Sequence, residues 1–569
     1  MGVRRFALID LGKAAPLTAL VLLVGSIGVG LFFVAALGLG YLPALGGNAI
    51  SWGGFASLLG DGRVPRALVA TALTGWLATL AATAAAFALV ASLGSTGDDP
   101  QSWPQRIAVA VLAVPHLAMA LGLAFVLAPS GWFVRAIAAL TGLLPLPPNA
   151  ELVSREYGLA LALALFIKET PFLFVAMATA LRQIDAARFL ATARTLGYGE
   201  GMAWAKLVLP QLYPLVRFPI LAVLAYGLSV VDMALILGPT TPPTLPVLIL
   251  AWINDPDLGR RFVAASAALL QVGMVTIAIM LWWLGEWLCR RMGRRWLTAG
   301  LRDWGGVGRN VIRWFARIVG LASITLTALA LLALLLWSVA EAWRYPALLP
   351  AFLSLDIWQR SLAGLWNPLV NSLELAATAT VLALALTLAC LQHERVLRAK
   401  VVRSAERWLF LPLLVPEVSF LFGLQILLLL IGFNGTWLAV LWMHLLFVFP
   451  YVFLTLKEPW RAFDPRYERI ALSLGKSPWT VFWRIKLPLL RGQIAWAAAI
   501  GCATSLSLYL PTVQGGEGRI VTLASEAVAL SGGGDRRVVG VYGTIQAAAA
   551  GLCFALALWT ARPRRRWVS

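Results

Sequence analysis

Asp232 lies among leucine, valine, alanine and isoleucine. An acid in the middle of a membrane span costs roughly 2.5–3.5 kcal/mol, so such residues face a bundle interior or a water-filled cavity. Two chemistries suit it: attraction of a cationic solute along a pathway, or an interhelical hydrogen bond or ion pair. Glu374 and the adjacent Lys168 and Glu169 stand in comparable settings, and Ser229 and Ser507 join Asp232 as pathway candidates on matching stretches. His116, His393 and His444 are far apart, and Cys289, Cys390, Cys502 and Cys553 are scattered. Neither set has ligand or disulfide spacing, so no metal site is expected and the cysteines read as packing residues. No dense cluster of Asp, Glu or His points to catalysis, so no catalytic residue is expected. No G-x-x-x-x-G-K-[ST] stretch is available to cradle the phosphates of ATP.

The most informative spacing lies in two polar, basic loops. Leu196-Gly197 is followed by Leu209-Pro210, and Leu474-Gly475 by Leu487-Pro488, each at an offset of 278 residues from its counterpart; Ala193 and Ala471 match at the same offset. A glycine after a short helix permits a left-handed cap and a chain reversal. Proline, lacking an amide donor, suits the first turn of the next helix. Each loop is therefore expected to form a helix, a turn and a second helix entering the membrane. A duplicated loop of fixed length implies two equivalent docking points for a soluble partner.

The elements that position these residues follow from composition. Of 569 residues, 60% are hydrophobic and 13% charged, and the mean hydropathy is +0.82. A soluble domain carries more charge than this on its surface, and a spanning helix needs about 20 apolar residues. Twelve spans are expected, near 15–37, 67–93, 107–128, 158–181, 215–237, 262–288, 318–340, 369–391, 407–431, 436–456, 492–512 and 538–560. The net charge of +20 sits at the ends of apolar runs, as in Arg4-Arg5, Arg294-Arg295 and Arg564-Arg565-Arg566. That is the pattern of the positive-inside rule, so the charge points to a lipid bilayer and not to nucleic acid. Met1 to Lys13 reads as the start of a retained signal anchor. Alternation then places 94–106, 182–214, 289–317, 392–406, 457–491 and both termini in the cytoplasm. Pro171 and Pro450 are expected to kink or break their helices.

The chain divides into a first half, 1–288 (core about 67–288), a basic linker, 289–317, and a second half, 318–569 (core about 367–560). Pro115 with Gly122 recurs as Pro416 with Gly423, and Ala72-Leu73 matches Ser372-Leu373. The offset then falls, so the first half carries an insertion, placed at 129–157. An even number of spans in each half makes a parallel repeat.

The loops resemble the cytoplasmic EAA loop of permeases in binding-protein-dependent ABC importers, whose pattern is Glu-Ala-Ala, three residues, Gly, nine residues, Ile-x-Leu-Pro. Gly197 with 207–210 and Gly475 with Ile485-Lys486-Leu487-Pro488 fit it; Ala191-Thr192-Ala193 and Arg469-Ile470-Ala471 replace the Glu-Ala-Ala part. The whole chain looks most like the fused, two-domain permeases of the thiamine and ferric-iron groups. The resemblance implies an all-α, MetI-like fold in the bacterial inner membrane. It implies a separate ATP-binding-cassette ATPase dimer that hydrolyses ATP with Mg, a periplasmic solute-binding protein, and no cofactor held by this chain. An ion-coupled secondary carrier is the alternative, but 94–106 lacks the G-x-x-x-D-R-x-G-R-R-like loop of the major-facilitator class. A membrane enzyme acting on lipid-linked substrates lacks a supporting side-chain cluster.

Overall fold

The computed structural model describes residues 14–43, 46–94, 103–148, 157–303, 305–394, 408–533 and 535–561. The expected anchor start Met1 to Lys13, most of 94–106 and 392–406, and the basic tail 562–566 lie outside the described residues. The first repeat comprises α1 (Ala14–Gly38), α2 (Arg63–Gly94), α3 (Trp103–Ala113), α4 (His116–Leu127), α5 (Trp132–Thr141) and α6 (Leu159–Leu181). It continues with α7 (Ala186–Thr195), α8 (Leu209–Ser229), α9 (Asp232–Leu237), α10 (Leu245–Ile253) and α11 (Arg260–Thr298). The second comprises α12 (Gly305–Val339), α13 (Asp356–Glu394), α14 (Glu417–Leu430), α15 (Trp437–Arg461) and α16 (Pro465–Ser473). It ends with α17 (Arg491–Ser507), α18 (Leu510–Gly516), α19 (Leu523–Ser531) and α20 (Arg536–Ala561).

Among the described residues, 10 helices are long and apolar enough to cross a membrane, or 11 with α17 and α18 taken as one span bent by 63°. The ninth expected span, 407–431, contains α14, a shorter apolar helix. Its brevity has a cause. Pro115 and Pro416 cap the helices that follow them, because a proline cannot donate the amide that would continue the preceding helix. The third span of each repeat is therefore broken. By contrast, α6 and α15 run uninterrupted through Pro171 and Pro450, so the expected helix breaks are not there. They fall instead at Val230-Val231 and Leu508-Tyr509.

The first helix of each repeat crosses to the other. α1 packs on α14 and α11, and α12 packs on α4 and α20. The crossings are backbone-close: a Cβ built on Gly423 would strike the Gly30 carbonyl, and one on Gly122 would strike that of Ala330. Gly122 and Gly423 are the glycines seven residues after the repeated prolines, and this contact is why they lack a side chain.

A second equivalence fixes the register. The Thr71 hydroxyl accepts from the Leu245 amide and the Ser372 hydroxyl from the Leu523 amide, both at 2.8 Å. Each hydroxyl also donates 2.7 Å to the carbonyl four residues earlier. Structurally, Thr71 thus matches Ser372, one residue from the pairing read in the sequence.

The expected linker is mostly helical, since α11 reaches Thr298 and α12 begins at Gly305. In the insertion, α5 carries Arg135, only 3% exposed. Its guanidinium donates to the carbonyls of Ser130, Arg344 and Ala347 at 2.8 Å and of Trp343 at 3.2 Å. It thereby ties the insertion to the segment beside the short hairpin Ala340–Ala342 and Phe352–Leu353. The four cysteines are free.

Candidate functional site

Each loop begins as a short helix closed by glycine. In the first, α7 is capped by Asp185, whose carboxylate accepts from the Arg188 amide, and Gly197 adopts φ +77°. In the second, α16 is capped by Asp464, and Gly475 adopts φ +76°. The closing hydrogen bonds correspond: Gly197 to Arg194 and Gly475 to Leu472 at 3.0 Å, then Tyr198 to Ala193 at 3.0 Å and Lys476 to Ala471 at 3.1 Å. This is the glycine-closed helix end in which the last free carbonyls are satisfied by amides just beyond the turn. Ala193 and Ala471 are buried beneath the turn, while Leu196 (58% exposed) and Leu474 (71%) project from it. Pro210 opens α8, and Leu487-Pro488 lies in the single turn before α17.

The two loops are anchored differently. Lys206 donates to the carbonyls of Ala299 and Leu301, both at 2.9 Å, and the Gly199 amide donates to Arg302 at 2.8 Å. The connection between the repeats therefore straps the first loop. In the second, buried Lys486 sits 3.7 Å from the centre of the Trp460 ring, donates to Gln392 at 3.2 Å and pairs with Glu468 at 3.4 Å. Glu468 immediately precedes the Arg469-Ile470-Ala471 stretch that lacks the family's glutamate.

The membrane interior holds a polar cluster built at the helix breaks. His116 and Glu417 are the first residues after Pro115 and Pro416, and Asp232 is the first residue of α9. His116 Nε2 lies 3.6 Å from the Glu169 carboxylate, and its ring is 5.3 Å from that of Tyr226. Asp232 interacts electrostatically with His116, Glu417, Tyr226 and Tyr509, and Tyr451 with Glu169 and Glu417. Lys168 is buried and donates to the carbonyls of Val111, Leu112 and Val114, at the end of α3 before Pro115. Its role is thus structural. Three acids, one imidazole and three tyrosines from both repeats remain around the break. Two of the acids also sit at helix starts, where the helix dipole favours negative charge.

Other candidates lie elsewhere. Glu374 is exposed on α13. Ser229 and Ser507 close α8 and α17 and turn their hydroxyls back on their own helices, to Ala225 at 2.7 Å and to Thr504 at 2.8 Å. His444, without a role from spacing, bridges Ser505 at 2.8 Å and Thr512 at 2.9 Å across the α17–α18 break.

Two glutamines hold the breaks in both repeats. The break leaves the carbonyls of Leu228 and Leu506 without a helical amide. Fully buried Gln271 on α11 and Gln546 on α20 supply the missing donors, the latter at 2.9 Å. Losing one partner of a buried hydrogen bond costs about 1–3 kcal/mol. Gln271→Leu and Gln546→Leu are each expected to lower thermal stability of the purified chain by that amount. An unchanged unfolding midpoint in both variants would remove the glutamines from this role.

No model of a protein family matches the chain. The inner membrane ABC transporter permease protein YnjC of Escherichia coli (strain K12) is 30% identical over 502 residues, spanning 86% of this chain and 87% of that protein. The putative 2-aminoethylphosphonate transport system permease protein PhnV of Salmonella paratyphi A is 29% identical over 195 residues, 33% of this chain and 71% of that one. The molybdenum transport system permease protein ModB of Mycobacterium bovis is 28% identical over 173 residues, 27% of this chain and 66% of that one. With likeness along nearly the full length of the first relative and a fold of two sets of membrane-spanning helices, the chain belongs to the ABC transporter permeases, multi-pass proteins of the inner membrane.

Proposed function

We propose that this chain is the translocation subunit of an ABC importer, supplying both membrane halves in one polypeptide, divided near 1–288, 289–317 and 318–569. The observation that carries this reading is the pair of loops with matching glycine-closed geometry, Ala193 to Pro210 and Ala471 to Pro488. Each presents an exposed leucine on a short, rigid helix. Such a knob fits a groove on a separate ATPase dimer, which binds and hydrolyses ATP with Mg, while this chain holds no cofactor. Closure of the ATPase pair moves α7 and α16 and rocks the repeats about the polar cluster between them. A periplasmic binding protein delivers the solute, and both termini lie in the cytoplasm.

The solute we assign is a small organic cation of the thiamine-like kind. Asp232, Glu169 and Glu417 supply carboxyl oxygens, and Tyr226, Tyr451 and Tyr509 supply ring faces that attract cations. The overall reading is tested in proteoliposomes containing the chain, a candidate ATPase and a candidate binding protein. Accumulation is expected to require internal-facing ATP and to persist when proton and sodium gradients are collapsed. Uptake that follows an ion gradient without the ATPase would establish the secondary-carrier alternative.

A further inference from the structure

At the end of the spans opposite the loops, α1, α11 and α14 enclose a cavity of about 100 Å³. Nearly all of its lining is apolar. Leu37 and Phe422 are buried within it, whereas Leu429 and Leu430 are exposed, so it opens toward the outside of the helix bundle. On a membrane-spanning chain that outside is occupied by acyl chains. Two polar side chains also reach the cavity, Arg261 and Gln425. The Nε of Arg261 and the Oε1 of Gln425 are buried and lack a hydrogen-bond partner. The carboxamide is oriented from behind: its Nε2 donates to Glu517, whose other oxygen accepts from Asn434. Its oxygen is thereby left for something other than the protein.

Unpaired polar atoms in an apolar pocket are the exception in folded proteins. A ligand that satisfies this pair must bring an anionic acceptor for the guanidinium, a donor for the amide oxygen and an apolar tail for the leucine-lined mouth. We propose that the cavity is a binding site for one membrane phospholipid whose head group carries an N–H or O–H donor beside its phosphate, such as phosphatidylethanolamine or phosphatidylglycerol. Arg261 holds the phosphate, Gln425 accepts from the head-group donor, and an acyl chain lies over Leu429 and Leu430. Arg261 lies in the first turn of the last helix of the first repeat and Gln425 lies on the second. The lipid would bridge the repeats on the face away from the ATPase.

Native mass spectrometry of the full chain, released from mild detergent and titrated with defined lipids, tests this. One phosphatidylethanolamine or phosphatidylglycerol is expected to bind at least about tenfold more tightly than phosphatidylcholine, which has no head-group donor. Arg261→Leu and Gln425→Leu are each expected to reduce occupancy at least about fivefold. Ile426→Trp, which fills the cavity while leaving both polar residues in the sequence, is expected to do the same. Its monodispersity and unfolding midpoint show whether the fold is kept. Equal binding of phosphatidylcholine, equal occupancy in all three variants, or displacement of the lipid by inorganic phosphate alone would overturn the proposal.

Discussion

Gly197→Pro and Gly475→Pro are each expected to abolish assembly with the ATPase or to uncouple ATP hydrolysis from uptake. The argument rests on backbone geometry. Both glycines lie in the left-handed region, at φ +77° and +76°, and proline is locked near −65°. The turn cannot survive that change, and with it goes the fixed position of Leu196 or Leu474. Alanine gives a graded control, since the left-handed conformation costs an L-residue about 1–2 kcal/mol. Space is available at both sites: a Cβ on Gly197 would meet only the Arg302 guanidinium, at 3.8 Å, and one on Gly475 would meet nothing. Gly→Ala should therefore weaken coupling about 5- to 30-fold through strain alone, and Gly→Pro should eliminate it. Co-purification with the ATPase and the ratio of solute moved to ATP hydrolysed measure the effect. Normal transport with both loops carrying proline would sink the coupling assignment. Because the strap from Ala299 to Arg302 supports only the first loop, the Gly475 variant should be the more damaging of the two.

The second large effect is expected from the buried acids. Asp232→Asn with Glu417→Gln keeps shape while replacing two carboxyl groups at the break between the repeats by amides. A charge-assisted contact is worth roughly 1.5–3 kcal/mol, so uptake of a cationic solute should fall about 10- to 150-fold. ATPase assembly and basal hydrolysis should stay near wild type, because both residues are remote from α7 and α16 in the chain. Uptake rate and apparent affinity are the readouts. If both are unchanged, Asp232 leaves the pathway and its acid serves the start of α9 alone. A gain in uptake of an anionic solute would reverse the sign assigned to the site.

Much of the fold was legible because it depends on local signals. Apolar runs mark the spans, and the Gly–Pro spacing marks both loops down to the left-handed turn. The helix breaks were not legible. Val230-Val231 and Leu508-Tyr509 contain neither glycine nor proline, so what permits a break there is a remote glutamine, whose role no local pattern carries. The two glutamines do not share the loops' offset of 278: they lie 275 residues apart. The connection before the last helix is shorter in the second repeat, 532–535 against 254–259, which shifts Gln546 out of the offset that aligns the loops. Glu417 and His116 stand beside the repeated prolines Pro416 and Pro115. Their chemistry emerges only when both repeats meet around Asp232. Of the kink or break expected at Pro171 and Pro450, the break does not occur: both lie inside continuous helices.

The exchange of α1 and α12 between repeats has a consequence in time. Gly30 must meet Gly423, which the ribosome delivers 393 residues later. At about 5–20 residues per second this is a wait of roughly 20–80 s. During that interval α1 has α11 as its main partner within the first repeat, once α11 has arrived. Maturation is therefore paced by translation of the second repeat, and a nascent chain that stalls before α14 leaves the glycine face of α1 without its helical partner.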